Sequence, residues 1–151
     1  MPETLERPST EAGEYARWLP RHRRSAGVAR LLLREFLGGL VDGKLYVDVG
    51  ELLLSELVTN AVEHARVSPR RVLRGQLIAV RFEVAVGRLR IEVHDASCER
   101  PEAQPLPDGD DESGRGLLLV ESLAVAWGCC PRPGGIGKFV WAHVGPAEGA
   151  S

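Results

Sequence analysis

The clearest hydrophobic pattern in the chain is helical and covers residues 51–65, which read Glu-Leu-Leu-Leu-Ser-Glu-Leu-Val-Thr-Asn-Ala-Val-Glu-His-Ala. This segment contains neither proline nor glycine, and leucine, valine and alanine recur in it at helical spacings. Such a repeat predicts an amphipathic helix that buries most of one side. Two polar residues, Glu56 and Asn60, stand within this pattern. Because they are four residues apart, they are expected on one helix face, one turn from each other.

The other segments alternate between helical and strand patterns. The predicted elements are, in chain order, an edge strand or extended arm around Tyr15–Trp18, a helix over 26–37, the helix over 51–65, strands over 77–86 and 88–95 turned at Gly87, a short helix over 117–123, and strands over 124–130 and 138–144. Residues 96–113 contain three prolines and an acidic run, and they are predicted to form a loop.

This order of elements indicates the fold class. Two helices, two strands, a long loop, a short helix and two more strands predict an α/β (α+β) two-layer sandwich, with helices on one face of a mixed, mainly antiparallel sheet. We expect an N-terminal arm over 1–20, a compact domain over 21–146 and a C-terminal tail over 147–151.

Composition and charge exclude some classes of function for this chain. The chain has 151 residues, of which 44% are hydrophobic and 26% charged, as in a single globular domain. Its formal charge of −2 gives no general attraction to nucleic acid or to an anionic membrane, so neither is an expected partner. No apolar run approaches the roughly 20 residues of a membrane span. The N-terminus lacks the basic and apolar regions of a signal peptide, so a cytoplasmic location is expected.

Two features carry candidate chemistry in the predicted helices and strands. Glu56 and Asn60 form a pair in which the Asn60 carbonyl can hold a divalent cation while Glu56 acts as a base. The alternative is an ordinary solvated helix face. Asp95 ends a predicted buried strand, where its carboxylate can accept a hydrogen bond, for example from the amino group of a purine. The alternative is an Asp that begins a turn through a local hydrogen bond.

A third feature is a glycine pair followed by a predicted helix. Glycines at 114 and 116 let the backbone approach a ligand, and the helix after them points unpaired N–H groups at a phosphate. A simple junction between a loop and a helix is the alternative. A Walker A loop ending at Lys138 is excluded, because Arg132 and Phe139 stand where that motif needs glycine and a hydroxyl residue.

Together these motifs resemble a known family. Glu-x-x-x-Asn on a helix, an Asp that closes a strand and Gly-x-Gly at a helix start resemble the GHKL (Bergerat-fold) ATP-binding domain of gyrase, histidine kinases and MutL. The sequences Ser-Glu-Leu-Val-Thr-Asn-Ala-Val-Glu-His, Gly-Arg-Gly-Leu-Leu-Leu-Val and Gly-Lys-x-Val-Trp are similar to the stand-alone anti-sigma-factor type. Proteins of that type are serine-protein kinases of bacterial partner-switching systems. The resemblance covers roughly residues 25–145.

The resemblance implies a role for each motif. Asn60 would bind Mg²⁺ through its side-chain carbonyl, Glu56 would act as the general base, and Asp95 would accept a hydrogen bond from the adenine amino group. Residues 98–113 would form a lid over ATP. The phosphates would be held at the helix start by Gly114, Arg115, Gly116 and Leu117.

At three places the sequence departs from the family pattern, so that kinase turnover does not follow from nucleotide binding. The usual Asp-x-Gly is here Asp95-Ala96-Ser97, Phe139 takes the place of a threonine beside the adenine-binding Asp, and the predicted lid is acidic. The resemblance therefore implies an ATP-binding regulator that phosphorylates an anti-sigma-factor antagonist and contacts that antagonist, a sigma factor, or both. The alternative is a catalytically weak, nucleotide-dependent protein-binding switch. A homodimer is possible in either case.

Overall fold

The structure is a computed structural model that describes residues 13–64, 77–96, 112–132 and 137–147. Its elements are, in chain order, β1 Gly13–Pro20, α1 Ser25–Gly38, a 3₁₀ turn Gly43–Tyr46, α2 Val47–His64, β2 Leu77–Ala85, β3 Arg88–Asp95, α3 Glu112–Leu123, β4 Ala126–Pro131 and β5 Lys138–Val144. The predicted helices and strands are therefore present in the predicted order, and the 3₁₀ turn is an addition.

The five strands form one sheet in the order β1-β2-β3-β5-β4. Every described pairing is antiparallel, which confirms the predicted, mainly antiparallel sheet. The turn between β2 and β3 places Gly87 at φ 74, a left-handed conformation that glycine adopts without steric cost. Residues 13–20, predicted to belong to an N-terminal arm, form the edge strand β1. The division into arm, domain and tail stays a prediction.

The described helices pack on one face of this sheet. Helix α2 is central, because it contacts α1, α3 and β3. Its apolar stripe, Leu53, Leu54, Leu57 and Val58, is buried in the core, where α2 packs on β3. At Gly50 the helix comes so close to its neighbours that a Cβ atom would lie 3.0 Å from the Leu89 side chain. This close approach accounts for a glycine inside a helix, where it otherwise costs roughly 1 kcal/mol relative to alanine.

An aromatic cluster joins the edge strand to the core. The Tyr15 ring stacks on Phe82 with 5.8 Å between centroids, and Phe36 of α1 lies 5.7 Å from Phe82. Such ring pairs add to the energy of apolar burial. Of the described helices, none is long and apolar enough to span a membrane.

The opposite face of the sheet is not covered by any described helix. Alternate strand residues point to it, because successive side chains of a strand point to opposite faces. These residues are mostly polar or aromatic and include Arg81, Glu83, Arg90, Glu92, His94, Phe139, Trp141 and His143. We call this surface the open face.

Candidate functional site

The predicted pair Glu56 and Asn60 lies on α2, four residues apart and half-buried. The neighbouring residues Leu57 and Ala61 are buried in the core, so the direction of this helix face is fixed by packing. Because α2 contacts both β3 and α3, the pair belongs to the helix that joins the other two predicted motifs.

Asp95 is the last residue of β3 and is 3% exposed. The Nζ atom of Lys138 lies 3.1 Å from one of its carboxylate oxygens and 3.0 Å from the other, so Lys138 donates to both. The two residues face each other directly in the register of β3 and β5. Asp95 is therefore a buried carboxylate in an ion pair. Breaking such a pair by removing one partner is strongly destabilising, because the remaining charge stays buried.

The backbone beside this pair is tightly packed. Gly137 has φ +84, and a Cβ atom built on it would collide with the carbonyl oxygen of Asp95. Glycine at 137 therefore lets β5 begin directly over the end of β3, and this start aligns Lys138 with Asp95. The sequence analysis did not identify Lys138 as a site residue. The sequence nevertheless contained a signal for Lys138. This lysine alternates in phase with the apolar inward residues of its strand, and a buried lysine needs an acidic partner.

A cavity of about 390 Å³ opens beside Asp95. The described residues that line it are Trp18, Leu77, Asp95, Ala96 and Arg132. Its volume falls within the range of small-molecule sites, which are mainly apolar with a few polar groups that orient the ligand. Trp18 and Leu77 bring an indole and an isobutyl group to this cavity from the open-face side of their strands, whereas the Asp95 carboxylate points to the helix layer with Lys138.

Comparison with known proteins identifies the family of the chain. The profile of the histidine kinase-like ATPase domain matches residues 19–128, most of the chain. The chain belongs to this family. Domains of the family bind ATP, so the chain is a nucleotide-binding protein of the GHKL superfamily. No curated protein matches the chain.

Solved structures match as well. One is the histidine kinase domain from the Erythrobacter litoralis EL346 blue-light activated histidine kinase, which is 24% identical in sequence with a TM-score of 0.42. The match covers 85% of this chain and 62% of that one, so this chain spans less than two thirds of that structure.

In this histidine kinase-like ATPase domain, the glycine motif lies inside a helix. Helix α3 begins at Glu112, five residues before the predicted start at Leu117, so Gly114, Arg115 and Gly116 belong to its first turns. The prediction of a loop here rested on the poor helix propensity of glycine, which contacts of α3 with α2 and β4 override. Those contacts place residues 112–123 beside the helix that carries Glu56 and Asn60. Phosphate binding by this segment stays a prediction.

Two further predictions fall partly or wholly outside the described residues. The predicted lid, 98–113, is described only at 112 and 113, which lie in α3. Ser97, which replaces the usual glycine after Asp95-Ala96, is not described.

The prediction for Phe139 needs correction. Phe139 was expected beside Asp95, in the place of a threonine that contacts the adenine region. In the structure, Phe139 pairs in register with His94 and stacks on it with 4.7 Å between ring centroids. Because strand side chains alternate, Phe139 points to the open face and Lys138 is the residue that meets Asp95. Phe139 therefore does not face Asp95.

The donor chemistry around α2 suits a hard cation that is shared with a ligand. Among the described residues, no group of three or more His, Cys, Asp or Glu side chains is placed to hold a metal alone. Mg²⁺ commonly takes only one or two protein oxygens and completes its shell with water and substrate phosphates. The carboxamide oxygen of Asn60 fits this requirement as the single protein ligand.

Proposed function

We propose that the chain is an ATP-dependent serine/threonine-protein kinase of the anti-sigma-factor type, which phosphorylates an anti-sigma-factor antagonist in a partner-switching pathway that controls transcription. The proposal is carried by one observation: Glu56 and Asn60 lie half-buried, one turn apart, on the helix that packs against β3, the strand ending in buried Asp95. Such a protein would act in the cytoplasm on a sigma factor, its antagonist, or both, as a monomer or homodimer.

Asn60 would hold Mg²⁺ through its side-chain carbonyl oxygen, which is a hard, neutral ligand. ATP with Mg²⁺, when bound, supplies the transferable phosphoryl group and a cation that neutralises charge on it. Catalysis of this reaction depends mostly on positioning and electrostatic stabilisation. A rigid helix, buried on one side in the core, holds Asn60 in place for this task.

Glu56 would act as the general base on the hydroxyl of the substrate serine. As the serine oxygen bonds to the γ-phosphorus and the bond to the ADP oxygen breaks, Glu56 takes the hydroxyl proton. The single turn between Glu56 and Asn60 would keep this base near the phosphates of bound ATP.

Asp95 would identify the base of the nucleotide. Each carboxylate oxygen has two lone pairs, so Asp95 can accept from the adenine amino group while it still accepts from Lys138. Lys138 thereby fixes the orientation of the carboxylate before the nucleotide arrives.

A second candidate function is a nucleotide-dependent binding switch without phosphoryl transfer. It is favoured by the acidic run Asp108-Gly-Asp-Asp-Glu112, whose negative charge would oppose close approach of this segment to a triphosphate. In that case ATP would change the affinity for a protein partner and would not be consumed.

The test is incubation with Mg²⁺ and γ-³²P-labelled ATP in the presence of candidate antagonist proteins encoded near this chain. The kinase proposal predicts label on a serine or threonine of one antagonist, and loss of that label in Glu56→Gln. Calorimetry on the same samples measures ATP binding. Binding without any transfer to the antagonists would support the switch, and absence of ATP binding would contradict both functions.

A further inference from the structure

The outward face of α1 carries a row of four exposed side chains. Arg24 is the N-cap of the helix, and Val28, Leu31 and Glu35 follow it at spacings of four, three and four residues. With about 100° of rotation per residue, these positions lie within about 60° of one another around the helix axis. Val28 is 42% exposed and Leu31 is 57% exposed, whereas the other side of α1 is buried in the core. We call these four residues the α1 stripe.

The charges of the α1 stripe oppose the dipole of their own helix. A helix dipole favours acidic side chains at the N-terminus and basic side chains at the C-terminus. Helix α1 has no acidic residue in its first turn and no basic residue in its last turn. Instead, Arg24 stands at its start and Glu35 in its last turn. The stability of the isolated helix therefore does not account for this order of charges.

Neither of these two charges is neutralised within the described part of the chain. There, the side chains of Arg24 and Glu35 form no ion pair or hydrogen bond. The arginines beside the stripe differ in this respect, because Arg30 donates to Ser55 and Arg34 to Glu51, both on α2. The charges of the α1 stripe are therefore available to a second molecule.

The α1 stripe is complementary to a second copy of itself when the two helices run antiparallel. Arg24 and Glu35 lie equally far from the middle of the stripe, between residues 29 and 30, and Val28 and Leu31 are placed in the same way. A twofold axis at this point sets Arg24 of each copy against Glu35 of the other. It also packs Val28 of each copy against Leu31 of the other. A parallel pair would instead set Arg24 against Arg24.

The antiparallel arrangement also explains the order of the charges. Arg24 of each copy would lie near the C-terminal end of the other helix, where the dipole favours a positive charge. Glu35 would lie near the N-terminal end of the other helix, where the dipole favours a negative charge. Each charge is thus unfavourable to its own helix and favourable to an antiparallel neighbour.

We propose that the α1 stripe is the interface of an antiparallel homodimer, with Val28 and Leu31 of both copies at its centre and Arg24 paired with Glu35 at each end. One pair of helices buries less surface than a standard interface of about 1,600 Å², so the dimer is weak and forms reversibly at high micromolar concentration. This inference does not depend on the proposed kinase function, because α1 carries none of the residues assigned to the ATP site.

The test is sedimentation velocity of the full chain over a range of concentrations. Arg24→Glu and Glu35→Arg should each weaken the dimer at least about tenfold, because each creates a contact between like charges twice in the dimer. The double variant should dimerise at least about fivefold more tightly than either single variant, since opposite charges again meet. Both changes are favourable to the dipole of α1, so a lost dimer cannot come from a less stable helix.

A mixture of the two single variants tests the antiparallel register directly. One Arg24→Glu chain and one Glu35→Arg chain have opposite charges at both contacts, so the mixture should form a heterodimer at a concentration where each variant alone is monomeric. Leu31→Glu should abolish the dimer. Val86→Glu is the matched control, because Val86 is 98% exposed in the turn between β2 and β3, and it should change dimerisation less than about twofold.

Three results would overturn the proposal. The first is a wild-type chain that stays monomeric at every concentration, which would leave a helix of another protein as the occupant of the α1 stripe. The second is a dimer that Leu31→Glu does not weaken, which would place the interface elsewhere. The third is a mixture of Arg24→Glu and Glu35→Arg that stays monomeric, which would exclude the antiparallel pairing.

Discussion

Lys138 at the start of β5 faces Asp95 at the end of β3 and donates to both of its carboxylate oxygens, at 3.1 and 3.0 Å. The motif Gly-Lys-x-Val-Trp does not reveal the register of β5 against β3, and this register decides whether Lys138 or Phe139 faces Asp95. One-residue differences in register exchange the two faces of a strand. Asp95, by contrast, was predicted from the sequence to close a buried strand, and the structure confirms its position at the end of β3.

Replacing Lys138 by methionine is predicted to destabilise the fold. The substitution keeps the volume of the side chain but leaves Asp95 buried without its cation, which typically costs about 3–5 kcal/mol in unfolding free energy. Urea unfolding at neutral pH measures the change. The double variant Asp95→Asn with Lys138→Met is the control and should recover a large part of the loss, since it leaves no buried charge. A single variant as stable as the wild type would show that the ion pair does not form.

Two glycines with left-handed conformations provide a matched test of the close approach at Asp95. Gly137 has φ +84 and Gly87 has φ +74, so alanine is strained at both, by roughly 1–2 kcal/mol. Only at 137 does the added Cβ collide with backbone; at 87 there is nothing within 4 Å. Gly137→Ala should therefore lower the unfolding free energy clearly more than Gly87→Ala. Equal losses in thermal or urea unfolding would contradict the tight packing of β5 over β3.

At the level of elements, β3 carries a polar network on the open face, centred on Glu92. Arg90 and His94 each donate to its carboxylate at 2.8 Å, and Arg81 lies 3.4 Å away. Burial alone would raise the pKa of Glu92, but these hydrogen bonds and the charges of Arg81 and Arg90 outweigh it and lower the pKa to about 2. The network joins β2 to β3 through Arg81. It extends to β5 through Arg90, which lies 4.8 Å from the centre of the Trp141 ring.

This network predicts a pH dependence of stability. The pKa of Glu92 is about 2 in the fold and about 4.3 in an unfolded chain. Its contribution is therefore complete above about pH 5 and is lost as the pH falls towards 2. Urea unfolding across this range should show a shallower decline in Glu92→Gln, which also loses about 1.5–3 kcal/mol at pH 7. Glu83→Gln is the control, because its carboxylate lies 3.9 Å from Arg81 and is more exposed.

His143 also reduces stability in acid, but it does so at a higher pH than Glu92. Burial, followed by the charges of Arg88 and Arg90, lowers the pKa of His143 below its usual value. Its protonation therefore opposes folding as the pH falls below about 6.5. This part of the decline should persist in Glu92→Gln. If Glu92→Gln and wild type show the same profile between pH 5 and 2, the hydrogen bonds of Glu92 are not formed.

The helices and strands were predicted unequally well, for physical reasons. The strands β2, β3 and β5 follow from strict alternation, because one face is buried in the core and the other is polar. Helix α2 follows from its apolar stripe. The start of α3 did not follow, since glycines at 114 and 116 oppose a helix locally and contacts with α2 decide the outcome. The 3₁₀ turn before α2 has no apolar period that would reveal it.

At the level of the whole molecule, the fold brings residues from distant parts of the chain to one end of the sheet. Trp18 of β1, Asp95 of β3 and Arg132 after β4 line one cavity, although more than a hundred residues separate the first from the last. The order of motifs made the family recognisable from the sequence. The positions of Trp18 and Arg132 at this cavity could not be predicted from the sequence, because they depend on how the ends of β1, β3 and β4 converge.

The central claim is that α2 and Asp95 form a binding site for ATP with Mg²⁺. Calorimetric titration of ATP, with and without Mg²⁺, into wild type, Asn60→Ala and Glu56→Ala tests it most directly. Wild type should bind ATP more tightly with Mg²⁺, Asn60→Ala should lose this difference, and Glu56→Ala should bind nearly as wild type does, as expected of a base that acts in the chemical step. Loss of binding in Glu56→Ala together with an unchanged Mg²⁺ dependence in Asn60→Ala would contradict the assignment.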